Sequence, residues 1–530
     1  MERGLDPSAK PVKLIQSHDP HPTLTVREWR LAVIVALLAG LLRWGLADRR
    51  GFWVDEYYTL MAARMSTSEM IKDRLKAGHS PLYYFYARLG LCLGTSERAL
   101  RVTSATAVTG TVIFLTALAV RLRLRRYLRT LWFLSVIHPF WITAGIELRY
   151  YMPLIAISTA ALWATARFAA SSQRRHGVAL AFLLSLVLWI HASAQFLALA
   201  IALFLLRADG GTRRRSLRGL LYRLWPVVVG LFASVPFLFL VRHHSIAFPR
   251  HTTTLTKGVM FFRSVLEVTY GLLQLWPRAL GRSDTPLLAM GLLLLLLSVF
   301  LTRRELLRQN NATGWRFLAS ILGGIPLGML LVLFFSPAAR ISWHYLTFLS
   351  VPTVICFAVA WHARGGRILR LLYRFLFLSL MITQTIATSL DQGDMHREAV
   401  RWVISNHTGI EPVLVADYVS VFALEYWGFS ARDRLHTIRR VERNESVTRK
   451  KMVSAFQDAQ KGFIILYITR APVLKVLDQL EKEHLVAADR RWSPTRAVTV
   501  VAWVKDDKER HWLESLPQVP KSSGPASGNW

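Results

Sequence analysis

Cysteine and acidic residues are scarce in this chain, and both shortages narrow its class. Only 2 of the 530 residues are cysteines, Cys92 and Cys356, and both lie in apolar surroundings, so no disulfide framework is indicated. The 33 acidic residues are outnumbered by 66 lysines and arginines, which gives a formal net charge of +33. Such a charge could serve nucleic-acid binding, but the arginines stand between apolar runs rather than in one patch. The pattern therefore argues against a nucleic-acid partner.

Motifs of several common protein classes are also missing. The chain contains no GxxxxGK[ST] phosphate loop, no HExxH motif and no CxxC pair. ATP-driven transport and zinc proteolysis therefore lose their usual motifs. The N-terminus lacks a short signal peptide that ends in a small-residue cleavage site. We expect the first apolar run to remain as a membrane anchor.

Long apolar runs are abundant, and they predict the fold class. Hydrophobic residues make up 53% of the chain and charged residues only 19%. Many runs approach the roughly 20 residues that a helix needs to cross a bilayer. We predict a multi-span α-helical membrane protein with about eleven transmembrane helices. The predicted spans are residues 29–47, 100–120, 130–146, 152–170, 178–190, 193–206, 224–241, 285–301, 317–335, 344–362 and 371–389.

Arginines in the short loops between the spans predict the orientation of the protein in the cell membrane. When the N-terminal segment 1–28 is placed in the cytoplasm, the cytoplasmic loops collect most of the arginines, as the positive-inside rule requires. The short loops of the other side keep only Arg149 and Arg340. An odd number of spans then places the C-terminal residues outside the cytoplasm.

Two long external loops, at 48–99 and 242–284, belong to the predicted membrane module 29–390. The stretch Pro81–Leu93 in the first loop is apolar and aromatic but short for a span. We predict that it forms a helix that lies along the membrane surface.

The composition changes after residue 390. Strand-like runs at Val413–Ala416, Phe463–Ile468 and Val498–Val504 alternate with helix-like stretches at Val447–Gln460 and Val473–His484. This alternation predicts a small extracytoplasmic α/β domain at 391–510. A disordered tail at 511–530 is predicted to follow, because its last ten residues are rich in Ser, Gly and Pro.

An adjacent pair of carboxylates is the strongest candidate for a chemical centre. Asp55 and Glu56 stand in the segment WVDEYYTL, just beyond the first predicted span. Two acids beside aromatic residues at a membrane surface are costly to desolvate unless something uses them. Such a pair can bind a divalent cation, or one member can act as a general base. The residues alone also fit a solvated acid pair next to interfacial tyrosines such as Tyr57.

Other polar residues are predicted to reach the same face of the membrane. His79, in GHSPLYY with Tyr83, could be a metal ligand or a proton carrier, although a simple turn before an aromatic helix fits equally well. Glu147 and Arg149, in GIELRYYM with Tyr150, could supply a metal ligand and a phosphate-binding guanidinium. The same two residues could instead form a local ion pair at the helix ends.

Three residues of later loops complete the candidate set. His191 stands at the turn between two short spans, where a histidine is more often a hydrogen-bonded turn residue than a ligand. Arg340 and His344, in ARISWHYL, could bind an anionic group. Arg340 could equally be a helix-end residue whose side chain reaches the interface.

Taken in order, these motifs resemble a known family. One span is followed by the DE pair, by an HxPLYY stretch at His79–Tyr84, by SERALRVTS at Ser96–Ser104, and by ELRYYM at residues 147–152. This order resembles the bacterial membrane glycosyltransferases of the GT-C fold that use polyprenyl-phosphate sugars, the family of protein O-mannosyltransferases and lipid A aminoarabinose transferases. The match covers roughly residues 29–170. The sequence His79-Ser80-Pro81 departs from the usual His-Pro-Pro of the family.

The resemblance implies an active site in a cavity at the external membrane face. It identifies Asp55 as the catalytic or metal-binding carboxylate, with Glu56 beside it. The acid and arginine of the second external loop correspond to Glu147 and Arg149. His191 and Arg340 match more weakly than these.

The implied activity is the transfer of a hexosyl or pentosyl group from a polyprenyl-phosphate donor to a lipid, glycan or protein acceptor outside the cytoplasm. The leaving phosphate would need cations, which Arg149, Arg340 and His344 could supply. The acceptor would need a base, for which Asp55 is the candidate. A divalent metal, Mg²⁺ or Mn²⁺, would fit Asp55 together with Glu147 and His79.

Two other classes compete with this interpretation. A multi-span transporter or lipid flippase is the main alternative, and a non-catalytic assembly or receptor protein is another. A transporter is expected to place ionisable residues or broken helices near mid-membrane. Here the acids collect at the predicted external face. That distribution favours surface chemistry over passage through the membrane.

Overall fold

The computed structural model describes residues 23–208, 217–244, 254–270, 285–335, 343–390 and 396–517, apart from short gaps at 365, 416–417, 438–444, 458, 468–470, 484, 493–497 and 506–509. Helices dominate up to residue 390, and a five-stranded sheet follows. The predicted combination of a helical membrane module with a small α/β domain is therefore confirmed.

The membrane module consists of helices that are joined mostly by short connections. They are α1 (Val26–Leu46), α2 (Val54–Arg64), α3 (Thr67–Lys76), α4 (Leu82–Leu91), α5 (Glu97–Arg121), α6 (Leu128–Ile137), α7 (Pro139–Gly145), α8 (Tyr151–Ser171), α9 (Arg174–Ile190), α10 (Ala194–Arg207), α11 (Leu217–Phe232), α12 (Val235–His244), α13 (Thr254–Tyr270), α14 (Thr285–Arg308), α15 (Ala312–Phe335), α16 (Ser350–Trp361) and α17 (Arg367–Leu390). Each of the eleven predicted spans coincides with one of these helices or with a consecutive pair.

Six helices in the described part of the chain are long and apolar enough to cross a membrane. Their apolar segments are Val26–Leu46, Glu97–Arg121, Tyr151–Ser171, Leu217–Phe237, Ala312–Val332 and Arg367–Ile386. Shorter apolar helices, among them α10, stand between them. The protein is a multi-span membrane protein.

The predicted span at 130–146 is wrong as a single helix, because the chain divides it at His138. Pro139 has no N–H for the helical ladder and disfavours the helical conformation at the preceding residue. His138 accordingly takes φ −61° and ψ 117°, and its ring nitrogen Nδ1 accepts a hydrogen bond of 3.4 Å from the Trp141 N–H at the start of α7. The span at 344–362 is also divided, since a 3₁₀ helix at Trp343–Leu349 precedes α16.

The predicted loop at 48–99 is helical over much of its length. Ser66 and Glu69 form a reciprocal cap that starts α3, and Pro81 stands at the start of α4. Helix α4 confirms the helix predicted at Pro81–Leu93. It packs closely on α5, because a Cβ atom on Gly90 would lie 2.7 Å from the carbonyl oxygen of Leu100. Helix α4 also contacts α2.

Small and large residues divide the surface of α1 into two faces. Ala32, Ala36, Ala39 and Gly40 are buried, and α1 packs on α5. Small residues allow such close approach between membrane helices. The opposite face exposes large apolar side chains, including Leu37, Leu38, Leu41 and Trp44. That face suits contact with lipid.

Ion pairs near the start of α1 and at two interhelical connections identify one face of the module. Arg125 Nε lies 2.8 Å from Glu28 Oε1, and Arg126 pairs with Glu305 of α14. The arginine-rich connections that were predicted to be cytoplasmic therefore share a face with the start of α1. We call the opposite face, which carries α2–α4, the outer face. Its placement outside the cytoplasm stays a prediction.

The C-terminal domain combines parallel and antiparallel strand pairs in one sheet. Its elements are α18 (His396–Asn406), β1 (Val413–Val415), α19 (Tyr418–Tyr426), β2 (Leu435–Thr437), α20 (Glu445–Gln457), β3 (Lys461–Tyr467), α21 (Ala471–Lys482), β4 (Ala487–Trp492), β5 (Val498–Val504) and α22 (Arg510–Ser515). The strand order is β2-β1-β3-β5-β4. The β1 strand runs parallel to β2 and β3, and β5 runs antiparallel to β3 and β4.

Alternating side chains give the sheet two buried faces. Phe463, Ile465 and Val500 belong to the large core that continues into the membrane module. Ile464 and Val501, one residue along each strand, belong to a separate core. A period of two is what extended backbone imposes. The sheet is therefore covered on one side by α20 and α21 and joined on the other side to the rest of the protein.

The predicted boundary of the disordered tail is too early. Helix α22 runs to Ser515, and it buries Leu513 with an exposed fraction of 4%. The Trp512 ring also packs edge-on against Phe463, with 5.5 Å between the ring centroids. Residues 518–530 lie outside the described residues.

Candidate active site

An ion pair between Asp55 and Arg149 lies at the outer face. Asp55 is in the first turn of α2, where the helix dipole favours an acid, and Arg149 stands in the short connection between α7 and α8. Asp55 Oδ2 lies 3.3 Å from Arg149 Nη2. Arg149 Nη1 also donates to the Asp55 carbonyl oxygen at 3.2 Å and to Thr59 Oγ1 at 3.3 Å. The guanidinium is thus held in one orientation by the start of α2.

The two partners differ in exposure. The Asp55 side chain is 32% exposed and that of Arg149 only 6%. Three aromatic rings enclose the guanidinium, at 5.9 Å for Trp53, 5.1 Å for Tyr150 and 5.5 Å for Tyr151. The buried Nε of Arg149 has no hydrogen-bond partner among the described residues. The arrangement presents an accessible carboxylate beside a buried cation that has donor capacity left.

Aromatic side chains from four segments meet next to this pair. The His191 ring stacks on Tyr150 with 4.7 Å between the centroids and an interplanar angle of 23°. Tyr345, from the 3₁₀ helix, lies 5.7 Å from His191, and Tyr83 of α4 lies 5.9 Å from Tyr150. The buried Tyr83 Oη has no hydrogen-bond partner among the described residues. The structure therefore brings together Tyr83, Tyr150 and His191, and their part in a functional site stays a prediction.

His191 is also held by its own turn. Its Nδ1 lies 2.7 Å from Ser193 Oγ, and Ser193 N donates to the same Nδ1 at 3.3 Å. Burial lowers the pKa of His191 to about 3, and repulsion from the protonated form of His79 and from Arg149 acts in the same direction. The neutral ring fits the hydrogen-bonded turn residue that the sequence left open as an alternative.

Glu56 is enclosed rather than presented to a substrate. Its side chain is fully buried, and Arg101 of α5 binds both oxygens, with Nε 2.8 Å from Oε1 and Nη2 2.7 Å from Oε2. The Leu148 N–H donates to Oε1 at 2.6 Å, and the Trp53 N–H donates to Oε2 at 3.2 Å. Four donors leave little capacity for chemistry. We therefore assign Glu56 a positioning role instead of the catalytic role that the sequence suggested.

Glu147 is buried beside this anchor, with an exposed fraction of 1%. Arg50 Nη1 lies 3.1 Å from Oε1, which is ion-pair distance, but the geometry is not that of a hydrogen bond. Neither carboxylate oxygen has a hydrogen-bond partner among the described residues. Burial raises the pKa of Glu147 to about 7. The positive charge of Arg50 lowers this pKa in part, and the negative charge of Glu56 raises it further. This carboxyl group can therefore change its charge near neutral pH.

His79 lies in the turn before α4, and its N–H donates to the Arg74 carbonyl oxygen at 2.8 Å. Burial lowers the pKa of His79 to about 4, and the neighbouring cations Arg149 and Arg74 lower it further. A neutral imidazole is the form that binds metals. The positive surroundings, however, disfavour a cation at this position.

The predicted metal site is not assembled by the residues present. Within the described ranges, no three His, Cys, Asp or Glu side chains form a group that could hold a metal ion. The proposed set of Asp55, Glu147 and His79 is therefore wrong as a ligand group. Asp55 already faces Arg149, and His79 lies in the field of Arg149 and Arg74.

Tyr57 contributes to a domain contact. Its buried hydroxyl accepts a hydrogen bond of 3.1 Å from Trp427 Nε1, and its ring packs edge-on against Phe422 and Tyr426 of the C-terminal domain. Arg340 lies outside the described residues, and the side chain of His344 does too. Their predicted contacts with a donor phosphate remain predictions.

Two further residues stabilise the site, and no separate role was predicted for them. Arg101 also donates to the Arg50 carbonyl oxygen at 2.5 Å and lies 4.7 Å from the Phe52 ring centroid. Glu97 accepts the Phe52 N–H at 3.1 Å and pairs with Arg397 of α18 at 2.7 Å. Both residues belong to the SERALRVTS segment, which was the signal available in the sequence.

Comparisons with solved structures identify the architecture. ArnT from Cupriavidus metallidurans in the apo state aligns with a TM-score of 0.53 and 14% sequence identity, over 89% of this chain and 97% of that chain. The same protein bound to undecaprenyl phosphate gives a TM-score of 0.53 and 14% identity, over 90% of this chain and 98% of that one. This chain has a GT-C fold.

Another solved structure aligns with a lower TM-score. The oligosaccharyltransferase of Archaeoglobus fulgidus aligns with a TM-score of 0.46 and 11% identity, over 91% of this chain and 74% of that chain. No protein-family profile matches the sequence, and no curated protein matches it.

Proposed function

We propose that this protein transfers a sugar from a polyprenyl-phosphate donor to an acceptor at the external face of the membrane. The observation that carries the proposal is the pairing of the accessible Asp55 carboxylate with the buried Arg149 guanidinium, at 3.3 Å. The reaction needs a base for the acceptor and a cation for the leaving phosphate in one site, because the acceptor attacks one face of the anomeric carbon while the phosphate leaves from the other. The acceptor could be a lipid, a glycan or a protein.

The chemistry assigns a separate task to each partner. An acceptor hydroxyl or amine attacks the anomeric carbon of the donor and forms the new glycosidic bond. The bond between that carbon and the phosphate oxygen breaks, and its electron pair leaves with the polyprenyl phosphate. Asp55 accepts the proton of the acceptor group. Direct displacement of this kind inverts the anomeric configuration.

Arg149 is suited to the leaving phosphate. Its Nε has no hydrogen-bond partner among the described residues, and aromatic rings exclude water from it. A guanidinium presents paired donors that match phosphate oxygens. In a partly dry site this interaction is stronger than in water. The undecaprenyl phosphate bound to ArnT supports a lipid phosphate of the same class as the partner of this chain.

The fold supports the proposal through the placement of the pair. Asp55 comes from the first turn of α2 and Arg149 from the connection between α7 and α8, both at the outer face, where a membrane-bound donor and a water-borne acceptor can reach them. A transporter would depend on groups within the membrane. Arg43, a buried arginine within α1, instead binds the carbonyl oxygens of Ala39 and Ser135, at 3.2 and 2.9 Å. Two of its three nitrogens are thus held by backbone carbonyls, and only its Nε has no hydrogen-bond partner among the described residues.

The test is binding and turnover with purified full-length protein in lipid nanodiscs. Undecaprenyl phosphate is titrated while the apparent melting temperature is followed, because a ligand of the folded state must raise it. Polyprenyl-phosphate sugars are then incubated with candidate acceptors, and products are identified by mass spectrometry. Stabilisation by the lipid phosphate that Arg149→Ala abolishes is the expected result. The absence of any stabilisation by such lipids would reject the proposal.

A further inference from the structure

A cavity lies between the C-terminal domain and helices α2 and α5 of the membrane module. It is distinct from the site of the pair Asp55–Arg149. Its volume is about 710 Å³, which lies within the range of ligand-binding pockets. The membrane module supplies Asp48, Arg64, Glu97 and Arg98 to its lining. Two helices of the C-terminal domain supply Arg397 and Arg401 together with Tyr426 and Trp427. The cavity exists because the two parts of the protein meet there.

The lining carries more cations than acids. Four arginines face two carboxylates, and the ion pairs account for only two of the arginines. Arg98 Nη2 lies 2.6 Å from Asp48 Oδ2, and Arg397 Nη1 lies 2.7 Å from Glu97 Oε2. These contacts use both acids of the cavity.

The remaining two arginines, Arg64 and Arg401, have no acidic partner among the described residues. The Arg64 guanidinium lies 5.3 Å from the Tyr426 ring centroid, and that of Arg401 lies 4.1 Å from the Trp427 ring centroid. Stacking on a ring orients a guanidinium and leaves its N–H groups free to bind an anion. Both side chains are exposed to solvent. The cavity thus holds two oriented cations without a countercharge of their own.

The rim of the cavity reaches the lipid-facing surface. Arg98 lies over the ring of Trp44 with 5.4 Å to the centroid, and Trp44 is 40% exposed at the end of α1. Exposed tryptophans at the ends of membrane helices lie at headgroup level. An arginine pair is well suited to phosphate, because its donors match phosphate oxygens in pairs.

We infer that this cavity binds a membrane lipid with a net anionic phosphate headgroup through Arg64 and Arg401, with Arg98 at the rim. The inference goes beyond the proposed function, because neither Asp55 nor Arg149 lines the cavity. Lipid phosphate and free phosphate offer the same oxygens. The position of Trp44 and Arg98 at the rim favours the lipid.

The test uses the full-length protein in detergent and three soluble probes: short-chain phosphatidic acid, short-chain phosphatidylcholine and inorganic phosphate. Dissociation constants are measured by calorimetry for the wild type and for Arg64→Gln, Arg401→Gln and the double variant. We expect phosphatidic acid to bind most tightly. The double variant should weaken phosphatidic acid binding by at least about tenfold, because the loss of even one charge-assisted contact has that effect. Arg64→Lys keeps the charge and is expected to retain part of the affinity.

Two controls make the outcome decisive. Arg449 lies on α20, away from the cavity, and pairs with Glu483. Arg449→Gln is therefore expected to leave binding unchanged. Equal binding by the wild type and the double variant would overturn the inference, as would equal affinity for phosphatidylcholine. Equal affinity for inorganic phosphate would overturn the lipid assignment. Loss of binding in Arg149→Ala but not in the cavity variants would place the lipid at the proposed active site and would also overturn the inference.

Discussion

Asp55 and Arg149 are 94 residues apart in the chain, yet Arg149 binds both the side chain and the backbone carbonyl of Asp55. The two contacts attach the connection between α7 and α8 to the first turn of α2. A carboxylate that only needed a counterion would not require the backbone contact as well. The arrangement fixes the direction of both side chains before any substrate binds, and such preorganisation is what a catalytic pair needs.

Replacing Asp55 by asparagine is expected to stop transfer without preventing donor binding. Asparagine keeps the size of the side chain but cannot take a proton, and loss of a general base costs about 10²–10⁴-fold in rate. The rate of sugar transfer and the melting shift with undecaprenyl phosphate are measured on the same preparation. Asp73→Asn is the matched control, because Asp73 also pairs with an arginine and its side chain is 40% exposed. A normal transfer rate for Asp55→Asn would remove the assigned base.

Replacing Arg149 is expected to weaken donor binding, and lysine is expected to restore it only in part. Lysine keeps the charge but not the fork of donors that contacts Asp55 and Thr59. Charged hydrogen bonds contribute about 1.5–3 kcal/mol, so Arg149→Ala should raise the dissociation constant by roughly 10–100-fold. Titration of undecaprenyl phosphate measures it. Full affinity in Arg149→Lys would show that charge alone is sufficient.

Glu56→Gln is expected to destabilise the fold rather than to affect the chemical step. The substitution leaves the fully buried Arg101 without its countercharge, and breaking a buried pair costs about 3–5 kcal/mol. Thermal unfolding in detergent measures the loss, and transfer per folded molecule is compared with that of the wild type. Glu69→Gln, at the exposed cap of α3, is the control and should unfold like the wild type. Unchanged stability with a large loss of turnover would return Glu56 to the catalytic residues.

Asp55 and Glu56 have different roles because they lie on a helix that the sequence did not indicate. We expected residues 48–99 to form a loop in which two adjacent acids could act together. In α2, neighbouring side chains point about 100° apart. Asp55 therefore faces Arg149, Glu56 faces Arg101, and Tyr57 faces the C-terminal domain.

The apolar runs predicted the membrane helices well, because length and hydropathy are local properties.

The partners of these residues could not be read from the chain for a physical reason. Arg101 and Leu148 reach Glu56 from positions 45 and 92 residues away, and such contacts depend on how the helices pack. The residue types predicted Arg149 as a phosphate ligand, since arginine at a helix end is a local signal. They did not predict that the two acids and one histidine of the expected metal site would form no ligand group, with Asp55 paired to Arg149 instead.

The junction of the two domains is expected to depend on Glu97. Its carboxylate joins Phe52 N to Arg397, and both ionic side chains are mostly buried, at 3% and 16% exposed. Glu97→Gln should therefore increase cleavage by a protease between α17 and the sheet, because the domain separates more often. Glu398→Gln is the matched control, because Glu398 is the other carboxylate that pairs with Arg397. The Glu398 side chain is 34% exposed. Equal cleavage of both variants would argue against a special role for Glu97.

The pH dependence of stability is expected to report the burial of Glu147. Its pKa rises from 4.5 to about 7 on folding, so the folded protein binds more protons than the unfolded chain between these values. Stability from this group is therefore fully present below pH 4.5 and is lost as the pH rises through 7, by on the order of 3 kcal/mol. His79, with its pKa lowered to about 4, acts in the opposite direction over an overlapping range.

The melting temperature of the wild type is therefore compared with that of Glu147→Gln between pH 4.5 and 8, because His79 contributes equally to both. The difference should turn in favour of the glutamine variant as the pH rises, since glutamine never acquires the buried charge. A constant difference across this range would show that Glu147 keeps the same charge throughout, and that Arg50 compensates its burial fully.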